Sequence, residues 1–180
     1  MRGHLAPQRD ALASPSEPLL VFLEPLDAAR APAKKRPRPV LRSSQDGLAP
    51  AVLAVSAGQS IRFANDSEIY HRIFSYSESN RFDLGVVRRG EGRSIALQHP
   101  GVVRIYCSLH PTERAVVFVA PSPYFATFRP PDSYEIRDVP PGRYRLHAWS
   151  ESASATTRAV TVPSGASVAA EIAGRPGAPE

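Results

Sequence analysis

One cysteine, one tryptophan and one methionine are all that 180 residues supply of those three types. With Cys107 alone, no disulfide within the chain can staple the fold, so a hydrophobic core must hold it. No apolar run approaches the roughly 18 residues of a membrane-spanning helix. Met1 to Pro18 carries Arg2 and Arg9 but no apolar centre, so this stretch does not read as a signal peptide. A protein that stays inside the cell, a start further upstream and a leader missing from this sequence all fit that observation. No serine in a strained elbow accompanies Asp66 and His71, which argues against a Ser/His/Asp nucleophile. Gly85, Gly90, Gly92 and Gly101 build no phosphate cradle.

Proline, by contrast, is abundant, at 19 residues. So many helix breakers exclude long helices and favour short strands joined by Pro/Gly turns. Hydrophobic residues make up 42% and charged residues 22%, the balance of a globular chain of one domain or one domain with an appendage. The formal net charge is +5. Much of it sits in Arg30, Lys34, Lys35, Arg36 and Arg38, a proline-rich run without the interleaved aromatics of a single-strand nucleic-acid binder. It reads as a solvated linker, with no nucleic acid expected, and the charge favours an acidic partner.

Taken in order, residues 1–17 read as a disordered arm. Leu19-Leu20-Val21-Phe22-Leu23 is a compact strand candidate closed by Glu24-Pro25, and residues 26–45 read as the basic linker. From about residue 48 strand signals are dense. Val52–Val55 precedes the Ala57-Gly58 turn, and Ser60–Asn65 alternates polar and apolar. Asn65-Asp66-Ser67 is turn chemistry. In Tyr70–Tyr76, His71, Ile73 and Ser75 share one face. Residues 77–93 read as a polar connection anchored by Phe82, Leu84, Val86 and Val87. Ser94–Leu97 and Val102–Tyr106 are short strands around the His99-Pro100-Gly101 turn. Cys107–Arg114 is a loop, and Ala115–Ala120, apolar on both faces, belongs in a sheet interior. Later candidates are Tyr134–Val139, Tyr144–Trp149, Arg158–Val162 and Ser167–Ile172. Short strands at this spacing indicate an all-β sandwich or barrel.

Cys107 ends a β-branched run, and His110 follows three residues later. Sheet pairing could bring His71 to the same place. One thiolate and two imidazoles in a trigonal array with a weak axial ligand are the protein side of a blue-copper site. The bland alternative, a buried thiol with two hydrogen-bonded histidines, stays open on these residues alone. His99 reads as a surface residue, His147 as packed on a sheet face and His4 as part of the arm.

Phe63-Ala64-Asn65-Asp66 with His71, then Pro100-Gly101, then Cys107-x-x-His110 resembles the cupredoxin (plastocyanin/azurin-like) family. Five further blocks resemble, in order, its subgroup of small exported bacterial methylamine-utilisation or plastocyanin-like proteins. They are Phe22–Pro25, His71–Ser75, Cys107–Pro111, Pro123–Ala126 and Pro141–Trp149. The resemblance spans about residues 18–150. It implies a cupredoxin-like Greek-key β-sandwich over 46–120, with His71, Cys107 and His110 as copper ligands and Tyr106 and Ser108 shaping the surroundings of the sulfur. It implies one-electron transfer or copper handling rather than catalysis, a redox protein partner, and a periplasmic or otherwise exported monomer with no membrane span. One departure matters. The family's axial methionine would fall at Glu113 in this subgroup's spacing or at Ala115 in plastocyanin's, and the only methionine is Met1. Glu113 could supply an axial oxygen, a backbone carbonyl could, or the site could stay three-coordinate. A hard carboxylate beside Cys and two His makes zinc a credible alternative to copper, and a metal-free binding or scaffold module is the remaining reading.

Ser133–Leu146 resembles the transthyretin-like module of carboxypeptidase regulatory domains, whose first strand is similar to Val21–Pro25. That implies a small β-meander over 121–173 joined by the strand 18–25, with the cupredoxin-like segment inserted between them and a loose tail at 174–180.

Overall fold

The computed structural model describes residues 2–3, 17–27, 37–44, 46–129, 132–152, 156–164 and 168–170, and no helix occurs among them. The strands are β1 (Arg2–Gly3), β2 (Leu19–Pro25), β3 (Val40–Ser44), β4 (Gly47–Ala49), β5 (Val52–Ser56), β6 (Ser60–Asn65), β7 (His71–Ser75) and β8 (Phe82–Val87). They continue as β9 (Gly92–Ala96), β10 (Gly101–Cys107), β11 (Arg114–Ala120), β12 (Phe125–Phe128), β13 (Tyr134–Glu135), β14 (Gly142–Trp149) and β15 (Thr156–Val162). They divide between two compact units: Lys34–Pro123, and Met1–Ala33 together with Tyr124–Glu180.

The unit Lys34–Pro123 is a sandwich of two sheets, with strand orders β4-β3-β6-β9 and β5-β11-β10-β7-β8. Its strands alternate because each has one face against the other sheet and one face outside. In β7 the core-facing His71, Ile73 and Ser75 are buried while Arg72 is exposed, and in β10 Val103, Ile105 and Cys107 are buried while Arg104 is exposed. The core between the sheets is one cluster, including Leu41, Ile61 and Phe63 from the first sheet and Val55, Ile73, Val103, Ile105, Val117 and Val119 from the second. The chain crosses from β6 to β7 in the other sheet and forms the β7–β8 hairpin. It crosses back so that β9 lies beside β6, and again so that β10 lies beside β7. A later strand returning to lie beside an earlier one is Greek-key topology. The fold class is thus the all-β Greek-key sandwich expected from the sequence. β11, apolar on both faces, sits inside its sheet between β10 and parallel β5.

Two local readings are corrected in this unit. The stretch assigned to the linker contains β3, which pairs in parallel with β6, so the sandwich begins before residue 46. Pro37 and Pro39 masked it, yet proline lacks only the donor, and the Pro39 carbonyl accepts from Arg62 N–H at 2.9 Å. The supposed connection 77–93 contains β8, paired with β7. Its pattern is broken by a bulge in which Leu84 and Gly85 stand opposite the single residue Ile73 of β7; Gly85 takes a φ of 69° and its N–H donates to Asp83 Oδ1 at 2.8 Å. Both devices hide a strand from a period-two reading.

In the other unit, the apolar run of β2 lies between β12 and β14, and β14 pairs on its far side with β15. A strand flanked on both sides reads as a continuous apolar run, as Leu19 to Leu23 does. Leu19, Val21 and Leu23 pack with Tyr124, Tyr134, Ile136, Tyr144, Leu146 and Val162 in a separate core. The alternating stretch Tyr134–Val139 forms only the two-residue β13, with Asp138 at a φ of 54°. Alternation there reflects burial of Tyr134 and Ile136. β13 pairs antiparallel with β1, Arg2 opposite Glu135 and Gly3 opposite Tyr134. Residues 4–16, most of the basic run, and the tail 174–180 lie outside the described residues. Of the candidate Ser167–Ile172, residues 168–170 are described and carry no strand.

Candidate metal centre

Register brings His71 and Cys107 together. β10 and β7 pair antiparallel with Cys107 opposite Ile73, so both point into the core, and His71 lies two residues along the same face. The loop after β10 then folds back. Cys107 N–H donates to the Glu113 carbonyl at 3.3 Å, and Glu113 N–H donates to the His110 carbonyl at 2.9 Å, with Pro111 suited to the second position of that turn. Ser108 N–H donates to the Arg72 carbonyl at 3.0 Å and pins the loop to β7. A seven-residue loop closed at three points has little freedom left, and it carries His110 and Glu113 back over the sulfur.

The result is a four-donor cluster. The donor atoms of His71, Cys107, His110 and Glu113 all lie within 4.8 Å of one another. Cys107 Sγ is 3.7 Å from His71 Nδ1 and 3.5 Å from His110 Nδ1. Glu113 Oε1 is 3.6 Å from His110 Nδ1, while His71 Nδ1–H donates to Glu113 Oε2 at 2.8 Å. Nitrogen, oxygen and sulfur ligands bonded at roughly 2.0–2.3 Å to one ion stand about 3.3–3.7 Å apart. Three of these four separations fall in that range, and the fourth is a hydrogen bond that a bound cation would replace. One thiol, two imidazoles and one carboxylate suit a borderline metal such as Cu(II) or Zn(II). The two imidazole rings are 4.8 Å apart between centroids and inclined at 59°.

The cluster is graded from inside to outside. His71 is 0% exposed and Glu113 11%, whereas the His110 side chain is 29% exposed. Leu109, Ile69 and Tyr70, neighbours of the two histidines in sequence, are also exposed. His110 is therefore the donor nearest solvent.

Two expected neighbours of the sulfur are placed elsewhere. Tyr106 alternates away from Cys107 onto the outer face, where its ring lies 5.9 Å from that of Phe74. Ser108 is exposed and acts through its backbone. Strand alternation explains Tyr106: a residue adjacent to a core-facing cysteine in a strand faces outward. His99 is exposed, as expected. His147 lies on the β2–β14 sheet, stacked on Phe22 at 4.6 Å and 2.9 Å from Glu24 Oε2.

What the sequence reading missed is the support behind His71. Its Nε2 lies 2.8 Å from Ser67 Oγ. Ser67 is held by Asn65, whose Oδ1 accepts from Ser67 N–H at 3.0 Å and lies 2.8 Å from Ser67 Oγ. Asn65 Nδ2 donates to the carbonyls of Ile69 at 2.7 Å and Val87 at 3.0 Å, and Ser43 Oγ donates to Asn65 Oδ1 at 3.0 Å. This buried amide ties β3 and β6 of one sheet to β8 of the other. The Asn-x-Ser turn signature was the available signal, read as a turn without a target.

No family model matches the chain, and no curated protein matches it. Among solved structures it is similar to a purple cupredoxin from Nitrosopumilus maritimus, at 20% identity over 46% of this chain and 99% of that one, with a TM-score of 0.42. It is similar to a copper-containing nitrite reductase from Thermus scotoductus SA-01 at 20% identity, over 53% of this chain but only 25% of the reductase, with a TM-score of 0.44. A reduced variant of amicyanin is similar at 16% identity over 46% of this chain and 81% of its own, with a TM-score of 0.43.

Proposed function

We propose that the Lys34–Pro123 unit is a copper-binding, cupredoxin-like module that carries single electrons or handles copper, with His71, Cys107, His110 and Glu113 as its ligands. The observation that carries this reading is the convergence of a thiol, two ring nitrogens and a carboxylate, from two strands and one loop, within 4.8 Å. When bound, copper supplies one-electron chemistry there, and the thiolate supplies the covalent coupling. The chain's own residues do the rest. The loop closed by the Cys107–Glu113 bond holds His110 and Glu113 in place, buried His71 fixes the inner side, and the partly exposed His110 leaves a short path to a partner. The role is carriage, with no substrate turned over. The net charge of +5 favours an acidic redox protein as partner. A periplasmic setting accords with the family resemblance. We further propose that this module is an insertion in a second, transthyretin-like unit built on β2, β12, β14 and β15.

The carboxylate favours a second reading, a closed zinc site in a non-redox scaffold, because four protein donors with no open position are the pattern of structural zinc. Adding Cu(II) to the purified chain separates the two. An intense visible thiolate-to-copper band, lost in Cys107→Ser, supports the copper reading. A chain that stays colourless and takes up no copper, while binding one equivalent of Zn(II) through the same residues, supports the zinc one.

A further inference from the structure

We propose that Ser67 is a positioning residue for the metal centre, whose hydroxyl fixes Nδ1 of His71 as the metal-facing nitrogen by partnering Nε2 in both tautomers of the ring. The proposal rests on the metal-binding reading above. It starts from the two sides of one buried imidazole. On one side Nδ1 faces Glu113 Oε2 at 2.8 Å, and on the other Nε2 faces Ser67 Oγ at 2.8 Å. A neutral imidazole carries one N–H. Beside a carboxylate, which only accepts, that proton sits on Nδ1, and Nε2 must accept from the Ser67 hydroxyl. When Nδ1 is a ligand instead, the ring's one proton sits on Nε2 and needs an acceptor. Ser67 Oγ then accepts it, and its own hydrogen turns to Asn65 Oδ1 at 2.8 Å or to the Ile69 carbonyl at 3.3 Å.

Only a group that both donates and accepts satisfies the two states. A backbone carbonyl would serve the metal-bound tautomer and repel the lone pair of the other, and a backbone N–H would do the reverse. Solvent cannot stand in, because His71 is 0% and Ser67 5% exposed. The hydroxyl is also held in place. Asn65 Oδ1 accepts from Ser67 N–H, and Asn65 Nδ2 fastens the far end of the same turn through the Ile69 carbonyl. Outer hydrogen bonds of this kind orient a ligating histidine and set its tautomer.

The test uses the full chain, with Zn(II) as probe so that copper redox chemistry plays no part, and three proteins: wild type, Ser67→Ala and Ser67→Thr. Competition against a chromogenic chelator should show about 10–100-fold weaker zinc binding for Ser67→Ala, the usual loss for such a partner. Ser67→Thr, which keeps the hydroxyl, should restore binding. Nitrogen-15 NMR of the His71 ring supplies the readout that packing would not move. In the metal-free wild type the proton is on Nδ1, and in the zinc-loaded wild type it is on Nε2 and protected from exchange. In Ser67→Ala that protection is lost. Wild-type affinity and an unchanged ring signal in Ser67→Ala would overturn the proposal. So would equal loss in Ser67→Thr, which would assign the effect to packing. A wild type that binds no metal would sink the metal-binding reading itself, a result distinct from either.

Discussion

Replacing Glu113 by glutamine keeps the shape and an oxygen donor but removes one charge, and the reduction potential of the copper-loaded protein should rise. Donors within 4.8 Å of one another leave any ion they share within about 4 Å of the carboxylate. With Cys107 as thiolate and Glu113 ionised, Cu(II) is neutralised by its ligands, whereas Cu(I) leaves one uncompensated negative charge in a site whose carboxylate is 11% exposed. The carboxylate thus favours the oxidised state. A unit charge difference at ~4 Å with an effective dielectric constant of 20 is worth about 4 kcal/mol. At 59 mV per tenfold for one electron, that is an upper figure of roughly 170 mV. Relaxation around the exchanged side chain reduces it, so a rise on the order of 100 mV is expected. Protein-film voltammetry of wild type and Glu113→Gln at one pH measures it. Glu113→Met, restoring a soft thioether, should rise at least as far. An unchanged or lower potential in both variants, with copper still bound, would refute the charge argument and remove Glu113 from the ligand set.

Other outcomes follow from the rest of the molecule. Asn65→Ala removes the partner of Ser43, Ser67, Ile69 and Val87 in a buried setting, and should cost about 3 kcal/mol or more in denaturant unfolding while weakening metal binding. Leu23 is fully buried in β2, so Leu23→Ala should cost about 2–5 kcal/mol in the second unit and leave the metal-bound spectrum unchanged. Burial pushes the Tyr134 hydroxyl up to about 12, and it donates to the Ala170 carbonyl at 2.7 Å. Its folded value lies above the unfolded value of about 10, so this stabilisation is complete below pH ~10 and is lost as pH rises toward 12. Tyr134→Phe should flatten the alkaline limb of stability, as followed by circular dichroism.

Much was legible in the chain because much of it is local. Proline content and short alternating runs set an all-β fold, since both act residue by residue on the backbone. The alternation of Tyr70–Tyr76 put His71 on one face with Ile73 and Ser75, and Cys107-x-x-His110 named a thiol and an imidazole, while Glu113 was reached only through the family resemblance, at the position of its axial methionine. Local signals failed where pairing overrides them. β3 follows two prolines and exists because β6 lies alongside it, β8 contains a bulge, and of the alternating Tyr134–Val139 only Tyr134–Glu135 is strand. Tyr106 shows the same limit from the other side: sequence put it next to the sulfur, and the pleat turned it away. The distances at the centre belong wholly to the tertiary structure. Cys107 and His71 are 36 residues apart and Glu113 and His71 42 apart. Only sheet register, with Cys107 opposite Ile73, decides that they meet. Ser67 behind His71 is a product of the same packing: the chain could write a turn there, but only the closed sandwich could aim its hydroxyl at a ring nitrogen and shut water out.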